Sequence, residues 1–164
     1  QKGLDYLKNG DLPRGKAAVH TQMPNATALA MLEGPPLVWA GQTALKFYGR
    51  TVVDEEYGGL ALDEAEGDRI AASVGEADIV FMKNHGIMVL GATVAEAWDD
   101  LYYLERACEA QRLAMSTGRA LKPVPPEMAR RTYEQMREGD RESARLHLES
   151  VKRILLQEAP DFAA

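Results

Sequence analysis

IVFMKNHGIMVLG, residues 79–91, is the stretch on which the fold turns. Ile79 to Met82 is a continuous apolar run of the length of a buried strand. Asn84-His85-Gly86 is a tight break, and Ile87 to Leu90 reads as a second strand. Beyond Gly91, Thr93 and Glu96 have the spacing of a capping box. Val94 to Met115 then predicts the longest helix of the chain, ended by Gly118. Val94, Ala97, Trp98, Leu101, Leu104 and Cys108 give that helix an apolar stripe, so Trp98 and Leu101 are expected to lie against the sheet.

Working back from this core, Asp63 starts a helix with Glu66 as its capping partner, and Gly75 ends it. Arg50 to Val53 is short and β-branched, hence a strand, and Gln42 to Tyr48 reads as a short helix. Leu37 to Ala40 reads as a further short strand after the stop Gly34-Pro35-Pro36. Pro24 suits the first turn of a helix that continues over Asn25 to Leu32. Lys16 to Gln22 predicts a strand, and Gln1 to Leu12 a short helix ended by Asn9-Gly10. Downstream, a proline-rich link from Lys122 to Pro126 leads to helices over Glu127 to Arg137 and Glu142 to Gln157. The second of these carries Ala144, Leu148, Val151 and Leu155 on one face. Strands and helices interleave and then give way to helices alone. The expectation is a single α/β domain over 1–164, with 119–164 as a helical tail.

Composition narrows the function. The formal net charge is -6, and no basic stripe is visible, which argues against nucleic acid as a main partner. No apolar run approaches the length of a membrane span, and no signal peptide is visible. The one cysteine, Cys108, cannot form an internal disulfide, so a reducing cytoplasm is expected. Cys108 lies on the apolar side of the long helical pattern and reads as a small buried hydrophobe rather than a nucleophile.

Chemistry would have to come from the histidines, of which there are three: His20, His85 and His147. On a strand, His20 and Gln22 share a face, because side chains alternate with period two. His85 occupies the tight break between two apolar strands. Three nitrogen or oxygen ligands with an open fourth position are the pattern of a catalytic divalent metal. On spacing alone, two histidines so far apart are more often unrelated, each serving a local hydrogen bond. His147 reads as a half-buried boundary residue of the last helix. Tyr102, Tyr103 and Glu105 could exchange protons, but tyrosines on a long helix usually pack with their hydroxyls at the rim. Asp54-Glu55-Glu56 reads as a solvated loop.

Three segments carry a resemblance: HTQMPNATALAML (20–32), KFYGRTVVDEEYGGLALDEAEGDRIAASVG (46–75) and FMKNHGIMVLGATVAEAWDDLYYLERACEAQ (81–111). In order and spacing they resemble the class II aldolase/adducin family, closest to its adducin-like branch, from about residue 13 to 118. The resemblance implies an α/β/α sandwich around a mostly antiparallel sheet. It implies a homotetramer with active sites at subunit interfaces. It also implies a divalent metal, zinc foremost and manganese next, that stabilises an enediolate during cleavage of a small, often phosphorylated, sugar or hydroxy-carbonyl substrate. His20 matches the first ligand of the family's His-x-His pair, and His85 matches the histidine of its Asn-His-Gly turn. Gln22 stands where the second histidine belongs; an amide oxygen is a poorer zinc ligand and favours harder ions. Counted back from Pro13, the family's acid/base glutamate falls on Gln1, whose amide cannot shuttle a proton. The family's phosphate loop would lie before Gln1. Two functions are therefore expected to compete: a metal-dependent lyase, and a non-catalytic adducin-like member that keeps the fold for assembly.

Overall fold

In a computed structural model, residues 17–59 and 64–163 are described. The elements run β1 (Ala17–Thr21), α1 (Pro24–Ala30), α2 (Gln42–Leu45), β2 (Thr51–Asp54), α3 (Glu64–Val74), β3 (Ile79–Met82), β4 (Gly86–Gly91), α4 (Val94–Met115), α5 (Pro126–Arg137) and α6 (Asp140–Glu158). A last 3-10 turn covers Pro160–Ala163. The helix expected before Leu12 and the capping pair Asp63–Glu66 lie outside the described residues and side chains.

The strands form one mixed sheet in the order β1-β4-β3-β2. β1 and β3 flank β4 antiparallel, and β2 joins β3 in parallel. The sheet is thus mostly antiparallel, with helices on both faces, as the family resemblance implies. Period-two alternation sorts the strand residues between the two layers. Ile79, Phe81, Ile87 and Val89 enter the larger core with Leu29 of α1, Ala44 of α2 and Ala97, Leu101, Leu104 and Cys108 of α4. Val80, Met82 and Leu90 turn the other way, to Ile70 and Val74 of α3. Thr93 caps α4, its hydroxyl accepting from the Glu96 backbone N–H at 3.2 Å. Gly91 lets α4 start hard against β4: a Cβ there would lie 2.6 Å from the Ala97 nitrogen.

Burial pushes the Cys108 thiol up to about 12, with the nearby Glu105 carboxylate adding to the effect. Cys108 is fully buried, so it is the inert core residue its helical position suggests.

Several local expectations are corrected. Leu37 to Ala40 forms no strand. Gln111 of α4 serves this backbone instead, accepting from Val38 N–H at 2.7 Å and donating to the Pro36 carbonyl at 2.7 Å. The helix at Gln42 stops at Leu45 rather than Tyr48. Val94 and Leu155 are exposed, although each was expected on an apolar face. Leu101 is in the core, but Trp98 is half-buried and turned away from the sheet, stacking on Tyr102 and meeting the His147 ring of α6 at 4.5 Å.

Candidate metal centre

Among the described residues β1 stands at one end of the sheet. Pairing of His20 with Met88 puts His20 on the face it shares with Ala18, the α3 side of the sheet. α3 packs over β2 at the opposite edge, which leaves the His20 side chain exposed. Gln22 follows one residue beyond the end of β1 and is also exposed. His85 arrives from the β3–β4 turn and is half-buried. That turn is tight because Asn84 takes a left-handed conformation (φ 57°) and the His85 N–H donates to the Met82 carbonyl at 3.1 Å. Asparagine is among the few non-glycine residues that tolerate this conformation.

The two histidines meet: their ring centroids lie 4.8 Å apart at an interplanar angle of 66°. His20 Nδ1 is 3.0 Å from the Ile87 carbonyl oxygen. A carbonyl only accepts, so Nδ1 carries the proton, and in the neutral ring Nε2 is the nitrogen with the lone pair. This backbone bond fixes the tautomer and ring orientation in the way metal-ligating histidines are usually fixed. Gly86 explains how the cluster closes. A Cβ at that position would fall 2.6 Å from the Thr21 carbonyl oxygen, 3.2 Å from Gln22 Cγ and 3.5 Å from His20 Cε1. Only a residue without a side chain lets the turn sit this close to the end of β1.

Two imidazoles therefore meet here, and the Gln22 stem runs beside the same turn. Among the described residues no group of three or more histidine, cysteine, aspartate or glutamate side chains is placed to hold a metal. His20, His85 and Gln22 could hold a divalent ion, with fewer imidazoles than a three-histidine site would offer. Gln1 lies outside the described residues.

The remaining polar candidates belong elsewhere. His147 is bound through Nδ1 to Asp99 at 2.7 Å and packs among Trp98, Tyr102 and Tyr103, on α4 and α6. Glu105 is buried and accepts from Asn25 N–H (2.9 Å), Asn25 Nδ2 (2.7 Å) and Ala26 N–H (2.9 Å). It serves as a remote cap for α1, not as a proton donor. Asp54 is not a solvated loop residue: it ends β2, is buried, and pairs with Arg69 at 2.6 Å and 2.9 Å. Sequence reading also passed over Lys83, whose place beside Asn84-His85 was its only signal.

Residues 10–112 match the class II aldolase and adducin N-terminal domain. A Caulobacter vibrioides protein named for the class 2 aldolases is 42% identical over 74 residues, 45% of this chain and 29% of that protein. The 4-hydroxy-3-prenylphenylpyruvate oxygenase/4-hydroxy-3-prenylbenzoate synthase of Streptomyces roseochromogenus subsp. oscitans is 34% identical over 119 residues, 72% of this chain and 41% of that enzyme. The chain thus spans less than half the length of either relative. Among solved structures, an aldolase II superfamily protein from Pseudomonas syringae superposes with a TM-score of 0.82 at 29% identity, over 92% of this chain and 60% of that one. With the matched domain over most of its length and the same fold, this chain belongs to the class II aldolase and adducin family.

Proposed function

We propose that this chain is the metal-bearing part of a lyase of the class II aldolase type, acting on a small hydroxy-carbonyl substrate, with His20, Gln22 and His85 as the protein ligands of a divalent ion. The observation that carries this reading is the meeting of His20 and His85 at 4.8 Å, with the His20 tautomer fixed by the Ile87 carbonyl. A divalent ion bound there would supply Lewis-acid polarisation of a substrate carbonyl and its neighbouring hydroxyl. The chain's own part is to present the His20 Nε2 lone pair, the His85 ring and the Gln22 amide at the end of β1, where His20 and Gln22 are exposed. A carbonyl compound also stands in the name of the Streptomyces relative.

Zinc is the first ion to test and manganese the second, because an amide oxygen in place of an imidazole shifts preference toward harder ions. Titration calorimetry on the purified protein is expected to show about one equivalent of zinc per chain. Gln22→His should tighten zinc binding roughly 10–100-fold, if a missing ligand costs at least what a missing partner of a ligand does. Release of an aldehyde from a panel of small sugar phosphates would identify the substrate. Zinc binding by neither protein would sink the metal reading.

A second reading rests on Gln22 itself. A site with an amide at its centre suits a family member that has kept the fold for assembly and not for catalysis, as the resemblance to adducin suggests. Both readings expect a cytoplasmic homo-oligomer, most simply a tetramer. Exposed Leu146, Ile154 and Leu156 on α6 offer apolar surface for such an assembly. A monomer mass by light scattering at micromolar concentration would count against the tetramer. No helix among the described residues is long and apolar enough to cross a membrane.

A further inference from the structure

Lys83 stands between β3 and the turn that carries His85, and is 7% exposed. Its Nζ donates to the Leu32 carbonyl at 2.6 Å and the Gly34 carbonyl at 2.7 Å. Among the described residues it has no carboxylate partner. Its own N–H donates to the Asp54 carbonyl at 2.9 Å, which keeps the residue in line with β2. The lysine stem therefore runs from the end of β3 to the loop that follows α1. The next residue repeats the attachment, Asn84 N–H donating to the Ala30 carbonyl at 3.4 Å. A buried lysine held by carbonyls alone is costly to desolvate, and an apolar side chain of equal length would fill the space without that cost. Its place is better explained by what its two hydrogen bonds hold.

We propose that Lys83 is a positioning residue for the candidate metal centre: it ties the Asn84-His85-Gly86 turn to the loop after α1 and so sets the approach of His85 to His20. Its meaning for metal binding rests on the reading of His20, Gln22 and His85 as ligands; the geometric claim does not. α1 is a firm anchor for this purpose, because its first turn is held to α4 by Glu105. Without the lysine bonds, the turn keeps its local hydrogen bond from His85 to Met82 and the pairing of β4 with β1, but loses the two side-chain bonds that tie it to the loop after α1.

The test compares the wild type with Lys83→Met, which keeps the stem and removes the donors, and Lys83→Arg, which keeps donors. In metal-free protein, the nuclear Overhauser contact between the His20 and His85 ring protons should be lost in Lys83→Met and retained in Lys83→Arg. Zinc affinity should fall about 10-fold or more in Lys83→Met and recover in Lys83→Arg, the scale expected for a group that orients a ligand. If Lys83→Met does not fold, Lys83→Gln takes its place, since its shorter stem cannot reach both carbonyls. A folded Lys83→Met with the parental ring contact and parental zinc affinity would overturn the proposal, even if its melting temperature fell. Wild-type protein that binds no zinc would instead remove the metal reading and leave the ring contact to decide on Lys83.

Discussion

Glu105→Leu is expected to lower the unfolding free energy by about 3–5 kcal/mol, since three buried donors lose their acceptor at about 1–3 kcal/mol each. The first turn of α1 shows why. Met23, at the N-cap, offers no side-chain hydrogen bond, and Pro24 removes one of the orphan N–H groups. The N–H groups of Asn25 and Ala26 remain, and both donate to the Glu105 carboxylate at 2.9 Å. The Asn25 side-chain amide donates to it as well, at 2.7 Å, while its oxygen accepts from Arg112 Nε at 2.7 Å. Leucine would fill a similar volume and leave three donors facing an apolar wall. Glu105→Gln keeps one acceptor oxygen but turns an NH2 group toward a donor, so about 1–2 kcal/mol is expected. Urea unfolding followed by circular dichroism measures both. A loss well under 1 kcal/mol in Glu105→Leu would mean that water reaches the first turn of α1. Because Gln22 lies three residues before Asn25, the same cap also sets where the chain leaves β1 and enters the candidate site.

How much of this was readable beforehand follows from the range of the interactions. The sheet was readable because β3 is a short continuous apolar run, β2 is β-branched, and the turn between β3 and β4 carries its own chemistry in Asn84-His85-Gly86. The site was readable in part for the same reason: His20 and His85 each sit at the end of a legible strand, and the family resemblance joined them. The Glu105, Gln111 and Lys83 bonds were not readable. Each joins a side chain to backbone groups about 50 to 80 positions away, and no local pattern encodes that pairing. Trp98 failed for a different reason. α4 is buried on two sides, by the sheet through Ala97, Leu101, Leu104 and Cys108, and by α6 beside Trp98. A helical period marks an apolar side chain as facing something but does not say which neighbour. Val94 opens α4, where one side of the first turn still faces water, and its exposure follows from that.

Lys46→Met is expected to cost a comparable 3–5 kcal/mol, by removing the shared counter-ion of a buried carboxylate cluster. Lys46 follows α2 and is 8% exposed. Its Nζ lies 3.1 Å from Asp99 and 3.3 Å from Asp100, both on α4, and it also pairs with Asp140 at the start of α6. Each carboxylate keeps one other partner: His147 for Asp99, Arg50 for Asp100 and Arg137 for Asp140. Methionine would therefore leave the three acids in reach of one another with less positive charge between them. The loss should be felt most in α6, which has one fully buried residue, Ala144, to hold it by packing. The pH dependence supplies an independent check. Burial works against the charged lysine, but the hydrogen bond to Asp140 and the charges of Asp100, Asp140 and Asp99 outweigh it and hold Lys46 above its ordinary value of 10.5. A group whose value is raised by folding stabilises the native state in full below its unfolded value and loses that contribution as pH rises through the folded one. The stability gap between wild type and Lys46→Met should accordingly be constant from neutral pH to about 10, and shrink above the ordinary lysine value. Urea unfolding at pH 8 and pH 11 reads it directly. A gap that does not change between those two conditions would show that the Lys46 charge is not what holds α2, α4 and α6 together.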